Sequence, residues 1–175
     1  MIKANPHYYC IRLEQPEALN QALLAGYSRH VNDGMSRSTH FYEGRYENVT
    51  ISADNIPEIH QILQQACGAA AEILNANIQT LRAGLWFNAM PPGSKTLKHA
   101  HDDDDELLSA VYYVCVPENS GKLLLHSGYF CTQVTPEPGL FVFFPPDVPH
   151  EVSENCSTEL RLSLGINIGP VDRPD

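Results

Sequence analysis

The chain has 175 residues, 11 Lys and Arg against 21 Asp and Glu, a formal charge of −10, and 43% hydrophobic against 18% charged residues. This length suits one domain, spanning 1–175, and the composition excludes a disordered or low-complexity chain. The net negative charge argues against general binding to nucleic acid or to anionic membranes.

Helical periodicity comes first along the chain. Behind Gln15-Pro16, residues Leu19, Ala22, Leu23 and Tyr27 recur about one turn apart, which predicts a short amphipathic helix over 17–28. A polar segment containing Arg37-Ser38-Thr39-His40-Phe41-Tyr42 follows and reads as a candidate lid over a site. Pro57 then opens a second apolar stripe, Ile59, Ile62, Leu63, Ala66, Ala70, Ile73 and Leu74, predicting a helix over 56–75.

From Thr80 the period changes to two. Leu81, Ala83, Leu85, Phe87 and Ala89 alternate with Arg82, Gly84, Trp86 and Asn88, as in a half-buried strand. Strand-like runs follow at 96–101, 107–116, 122–126, 133–134, 140–144, 150–152 and 160–168, separated by Pro, Gly, Asn or Asp. Helices followed by about eight strands predict an α+β chain, with a helical part over 1–79 and a β-sandwich or barrel over 80–169.

Three features carry chemistry. His99-Ala100-His101 places two imidazoles at i and i+2, on one face of a strand, where both can reach one metal ion. The apolar run Leu140 to Phe144 leads through Pro145-Pro146-Asp147-Val148-Pro149 to a third imidazole, His150, which sheet geometry can bring beside His99. Arg161 and Ser163 share one face of an otherwise apolar strand; a guanidinium there is costly to bury without an anion, and its fork suits a carboxylate. Together they describe a metal site beside a carboxylate site.

In the order and spacing of these features, and of Leu108-Ser109-Ala110-Val111-Tyr112-Tyr113-Val114 and Ser120-Gly121-Lys122-Leu123, the stretch from Leu85 to Gly169 resembles the iron(II)- and 2-oxoglutarate-dependent oxygenases. It looks most like small bacterial members of that superfamily. The resemblance implies a double-stranded β-helix, or jelly roll, with the helices packed outside it. It implies iron(II) on His99, His101 and His150, with three positions kept open for the cosubstrate and dioxygen. It implies that the distal carboxylate of 2-oxoglutarate meets Arg161 and Ser163, with Tyr113 as a further donor and Tyr112 facing away. The implied reaction is hydroxylation or oxidative demethylation of a small molecule or protein side chain, with release of succinate and CO₂.

The family usually reads H-x-D where this chain has His99-Ala100-His101. Because His101-Asp102-Asp103 is itself an H-x-D, Asp103 is an alternative ligand, and acids among Asp102 to Asp105 could offset the extra charge of an all-imidazole centre. The same residues also fit the first cupin pattern, ending at Glu106, which would give a three-histidine metal dioxygenase or a binding module that does not use 2-oxoglutarate. Tyr113 and Arg161-Leu162-Ser163 favour the oxygenase. The five cysteines form no C-x-x-C pair, the N-terminus lacks the apolar core of a signal peptide, and the run Ala110 to Val116 is far short of a membrane span, so the expectation is a cytoplasmic protein with reduced thiols. Dimerisation through an exposed barrel edge is compatible with the sequence.

Overall fold

The computed structural model describes residues 1–101 and 105–171. Helix α1 (Glu17–His30) starts behind Pro16, and helix α2 (Glu58–Leu74) starts behind Pro57. Asn75 ends α2 in the left-handed conformation, φ 50°, which returns its N–H to the carbonyls of Ala71 and Glu72. Both helices overlie the expected stretches within two residues. Neither described helix is long and apolar enough to cross a membrane.

The strands are β1 (Lys3–Ala4), β2 (Tyr9–Arg12), β3 (Ser36–Tyr42), β4 (Arg45–Ile51), β5 (Leu81–Met90), β6 (Thr96–His99), β7 (Leu108–Cys115), β8 (Leu123–Ser127), β9 (Phe130–Val134), β10 (Leu140–Phe144), β11 (His150–Val152) and β12 (Arg161–Pro170). Eight form one sheet in the order β1-β2-β10-β7-β12-β5-β4-β3, and four form a second, β6-β11-β8-β9. This is the double-stranded β-helix with its helices on the outer face.

Period-two alternation divides each central strand between two cores. On β10, Phe141 and Phe143 face the helices while Val142 and Phe144 face the second sheet. On the helix side, Phe87, Tyr112, Leu162, Leu164, Ile166 and Ile168 pack against Leu23, Tyr27 and the α2 stripe of Ile59, Ile62, Ala66 and Ala70. Each fully buried aliphatic or aromatic side chain there contributes about 1.5–3 kcal/mol. Between the sheets, Tyr113, Val142 and Phe144 meet Leu123, Leu125 and Val134.

Strands β10 and β11 have the expected bounds, and the other expected strands overlie observed ones with ends shifted by up to three residues. The expected strand over 96–101 stops at His99, although the His101 N–H still bonds to the Pro146 carbonyl at 2.8 Å. Residues 1–79 also contain four strands that periodicity did not reveal. The hairpin of β3 and β4 lies at the sheet edge, is rich in polar residues, and has a positive-φ residue, His40 (φ 59°), that interrupts its alternation. Its physical signal is the turn Glu43-Gly44, both residues at positive φ, as a tight hairpin requires.

The loop from β11 to β12 is held by Asn155, which is wholly buried. Its Nδ2 donates to the carbonyls of Met90 (2.7 Å) and Glu159 (2.9 Å), while its Oδ1 accepts from the N–H (3.0 Å) and hydroxyl (2.6 Å) of Ser157. Asn155→Ala leaves both carbonyls without that donor and is expected to cost about 1–3 kcal/mol. Urea unfolding monitored by circular dichroism should show a lower midpoint with an unchanged slope.

Candidate metal and carboxylate site

The three histidines come from separate parts of the chain and meet at one end of the barrel. Antiparallel pairing of β6 with β11 sets His99 opposite His150, and the backbone bond from His101 to Pro146 brings the second histidine of the H-x-H pair to the same place. Ring centroids lie 4.2 Å apart for His99 and His150, 5.1 Å for His99 and His101, and 5.3 Å for His101 and His150. One ligand nitrogen from each falls within 4.8 Å of the others, and among the described residues these three form the group able to hold a metal ion. Asp103, the alternative ligand, lies outside the described residues, as do Asp102 and Asp104.

Local hydrogen bonds orient two of the rings. His99 Nδ1 lies 2.7 Å from the Leu97 carbonyl and His150 Nδ1 lies 2.9 Å from that of Val148, so both Nδ1 atoms donate and both Nε2 lone pairs are available. His150 is buried, and burial followed by the neighbouring His99 pushes its pKa down to about 3, leaving a neutral imidazole suited to ligation.

Strand β12 supplies the floor. Arg161, Ser163, Gly165 and Asn167 share one face of it, the last three lining the cavity, while the intervening Leu162, Leu164, Ile166 and Ile168 belong to the helix-side core. A cavity of about 460 Å³ is lined by all three histidines, by Ser163, Gly165 and Asn167, by Trp86 and Asn88 of β5, and by His40 and Asn48 of the edge hairpin. Gly165 is required by contact: a Cβ there would lie 2.4 Å from the Trp86 ring, which rests on the glycine with its centroid 5.8 Å from that of His101. Arg45 ties the hairpin down, reaching Glu47, the Asn88 side chain and the Ala89 and Lys95 carbonyls at 2.7–3.2 Å. His40 therefore stands at the cavity on a hairpin that Arg45 ties to β5 and to the Lys95 carbonyl.

Arg161 lies beyond Ser163, at 0% exposure, with its Nη1 3.3 Å from the Ser120 carbonyl and 3.7 Å from Met90 Sδ. Its Nε and Nη2, and the neighbouring Tyr113 hydroxyl and Ser120 hydroxyl, are buried without a hydrogen-bond partner. The guanidinium carbon is 5.5 Å from the centre of the Tyr113 ring, and pairing of Ser163 with Tyr113 across β12 and β7 gathers all three side chains on one face. Burial lowers the Arg161 pKa and raises that of Tyr113 to about 12, with the Tyr113 and Arg161 charges opposing each effect in turn. Tyr112 faces away, as expected, donating its hydroxyl to Asn20 of α1 at 2.6 Å.

The structure thus assembles His99, His101, His150 and Ser163 around one cavity, with Arg161 and Tyr113 behind it. Of the other lining residues, Trp86 reads from the sequence as either core or cavity wall, and Asn88 and Asn167 have no chemical role assigned there. Asn167 was within reach, since it continues the i, i+2 series of Arg161 and Ser163. Trp86 carries no such signal, because core and cavity-wall tryptophans look alike in a strand.

No protein-family model matches the sequence, nor does any curated protein. Solved structures do resemble the fold. A prolyl-4-hydroxylase of Pseudomonas putida is 23% identical, with a TM-score of 0.68 over 97% of this chain and 90% of that one. SnoK, a non-heme α-ketoglutarate-dependent carbocyclase of nogalamycin biosynthesis, is 16% identical, with a TM-score of 0.76 over 95% of this chain and 80% of its own. A viral collagen prolyl hydroxylase from Paramecium bursaria Chlorella virus-1, solved with 2-oxoglutarate, is 18% identical, with a TM-score of 0.59 over 96% and 98%. The chain has the jelly-roll fold that these 2-oxoglutarate-dependent oxygenases share.

Proposed function

We propose that this protein is an iron(II)- and 2-oxoglutarate-dependent dioxygenase that hydroxylates or oxidatively demethylates a small molecule or protein side chain. The observation that carries the reading is the buried guanidinium of Arg161, with two nitrogens lacking partners, on the sheet face that also leads to the three histidines. A fully buried cation without an acidic partner is expensive, and a ligand carboxylate would offset that cost by charge and by two parallel N–H bonds.

His99, His101 and His150 would hold the metal through Nε2, and Arg161, Ser163 and the Tyr113 hydroxyl would hold the distal carboxylate of the cosubstrate. Iron(II) with 2-oxoglutarate supplies dioxygen activation coupled to decarboxylation. The protein supplies orientation and dryness: carbonyls fix the His99 and His150 rings, Tyr113 and Met90 wall off the guanidinium, and Trp86 closes the cavity beside His101. The acceptor substrate would enter past His40, Asn48 and Asn88, which offer polar contacts. The P. putida and viral structures are hydroxylases by name, which agrees with this reaction class. The cupin pattern ends at Glu106, whose carboxylate stands 3.8 Å from Nδ1 of His101 and lies outside the group of three imidazoles.

Anaerobic protein with iron(II) is expected to develop a visible charge-transfer band on addition of 2-oxoglutarate, and aerobic protein to form succinate; absence of both would defeat the proposal. Arg161→Met should weaken 2-oxoglutarate binding about 10- to 100-fold, by analogy with the loss of charged hydrogen bonds worth roughly 1.5–3 kcal/mol. Without 2-oxoglutarate the same variant should be as stable as the wild type or more so in thermal unfolding, because it removes a buried charge lacking a carboxylate partner.

The ligand set is tested separately. Equilibrium dialysis should show iron(II) binding lost in His101→Ala and kept in Asp103→Ala, and the reverse result would move the ligand to Asp103.

A further inference from the structure

We propose that Glu106, held in place by Asn167, is the positioning carboxylate of this centre and acts on the metal through His101 rather than as a ligand. The inference rests on the proposed metal-binding role of the three histidines and concerns how the chain manages without the aspartate of the H-x-D pattern.

The hydrogen-bond chemistry at His101 differs from that at its neighbours. His99 and His150 each give Nδ1–H to a backbone carbonyl two residues earlier. His101 Nδ1 instead lies 3.8 Å from Glu106 Oε2 and 3.3 Å from Asn167 Nδ2. An amide NH₂ only donates. Once Nε2 of His101 ligates a cation its Nδ1 carries the proton, so Asn167 cannot take that proton's hydrogen bond and the Glu106 carboxylate can. Asn167 Nδ2 donates to Glu106 Oε1, which turns Oε2 toward the imidazole.

The backbone holds Glu106 in this position. The Leu107 N–H bonds to the Ile168 carbonyl at 2.7 Å, and a Cβ on Gly169 would come within 2.9 Å of the Asp105 carbonyl oxygen. Residues 105–107 therefore run in contact with the end of β12, beside Asn167. Asp105, the neighbouring acid, is drawn to Arg82 at 2.7 Å. The Trp86 ring contacts His101, limiting its rotation away from the carboxylate. A carboxylate one imidazole removed from a cation raises the basicity of that imidazole and offsets part of the metal's charge. A three-histidine centre, one negative charge short of the H-x-D pattern, recovers that charge indirectly.

A double-mutant cycle on metal affinity separates this role from simple loop anchoring. The probe is cobalt(II) alone, titrated into the full-length metal-free protein by calorimetry and by quenching of Trp86, the one tryptophan of the chain. Glu106→Gln retains an acceptor for Asn167 and should weaken cobalt(II) about 10- to 100-fold with an unchanged metal-free melting temperature. His101→Asp returns a carboxylate to the ligand position, and in that background Glu106→Gln should change affinity by less than about threefold. Equal losses in both backgrounds, or no loss in the wild-type background, would overturn the role given to Glu106. Failure of the wild type to bind cobalt(II), or binding that survives His150→Ala, would instead strike at the metal centre itself.

Discussion

A guanidinium enclosed by protein, with two of its three nitrogens lacking a hydrogen-bond partner, is the constraint around which the barrel interior is organised. Arg161 sits at the start of β12, the strand that also carries four aliphatic residues into the helix-side core. Anchoring by those side chains and by pairing to β5 and β7 fixes the orientation of the series Arg161, Ser163, Gly165 and Asn167. Strand geometry then distributes side chains along one line: a cation at the closed end, a hydroxyl, a glycine that admits the Trp86 ring, and an amide beside His101 and Glu106. Moving the register by one residue would exchange this line with the hydrophobic one, so the helix-side core and the site are specified together.

Opposite that line, the second sheet contributes His99 and His150. His99 and His150 are cross-strand neighbours, which is a local consequence of pairing β6 with β11. His101 lies past the end of its strand and depends on more distant contacts, a bond to Pro146 and the cluster of Trp86, Asn167 and Glu106. The position at which this chain departs from H-x-D is thus the one of the three imidazoles with the most side-chain neighbours. On the proposed reading, the imidazole at this position draws on Glu106 for the charge that a directly bound carboxylate would supply.

Much of this arrangement can be read from the residues in order. The i, i+2 spacings of His99 with His101 and of Arg161 with Ser163 specify shared faces whenever the segments are extended, and the alternation over Thr80 to Met90 and Leu160 to Ile168 makes them so. The polar edge hairpin of β3 and β4 escaped because an exposed edge strand has little need of buried alternation, and His40 breaks what alternation remains. Glu106 is legible in the sequence only as the end of a cupin-like pattern, since its position beside Nδ1 of the His101 ring is a matter of three dimensions.

The sequence by itself determined the two helices, the strands from Leu81 onward and the face that Arg161 shares with Ser163, because each follows from a period of 3.6 or 2, and it marked His99, His101 and His150 as candidates. Only the tertiary structure decided that the β3–β4 hairpin is clamped by Arg45, that Trp86 lies on Gly165, and that Glu106 and Asn167 converge on His101. Those relations join residues from different strands and loops, and no spacing along the chain encodes a distance that sheet pairing and loop closure create.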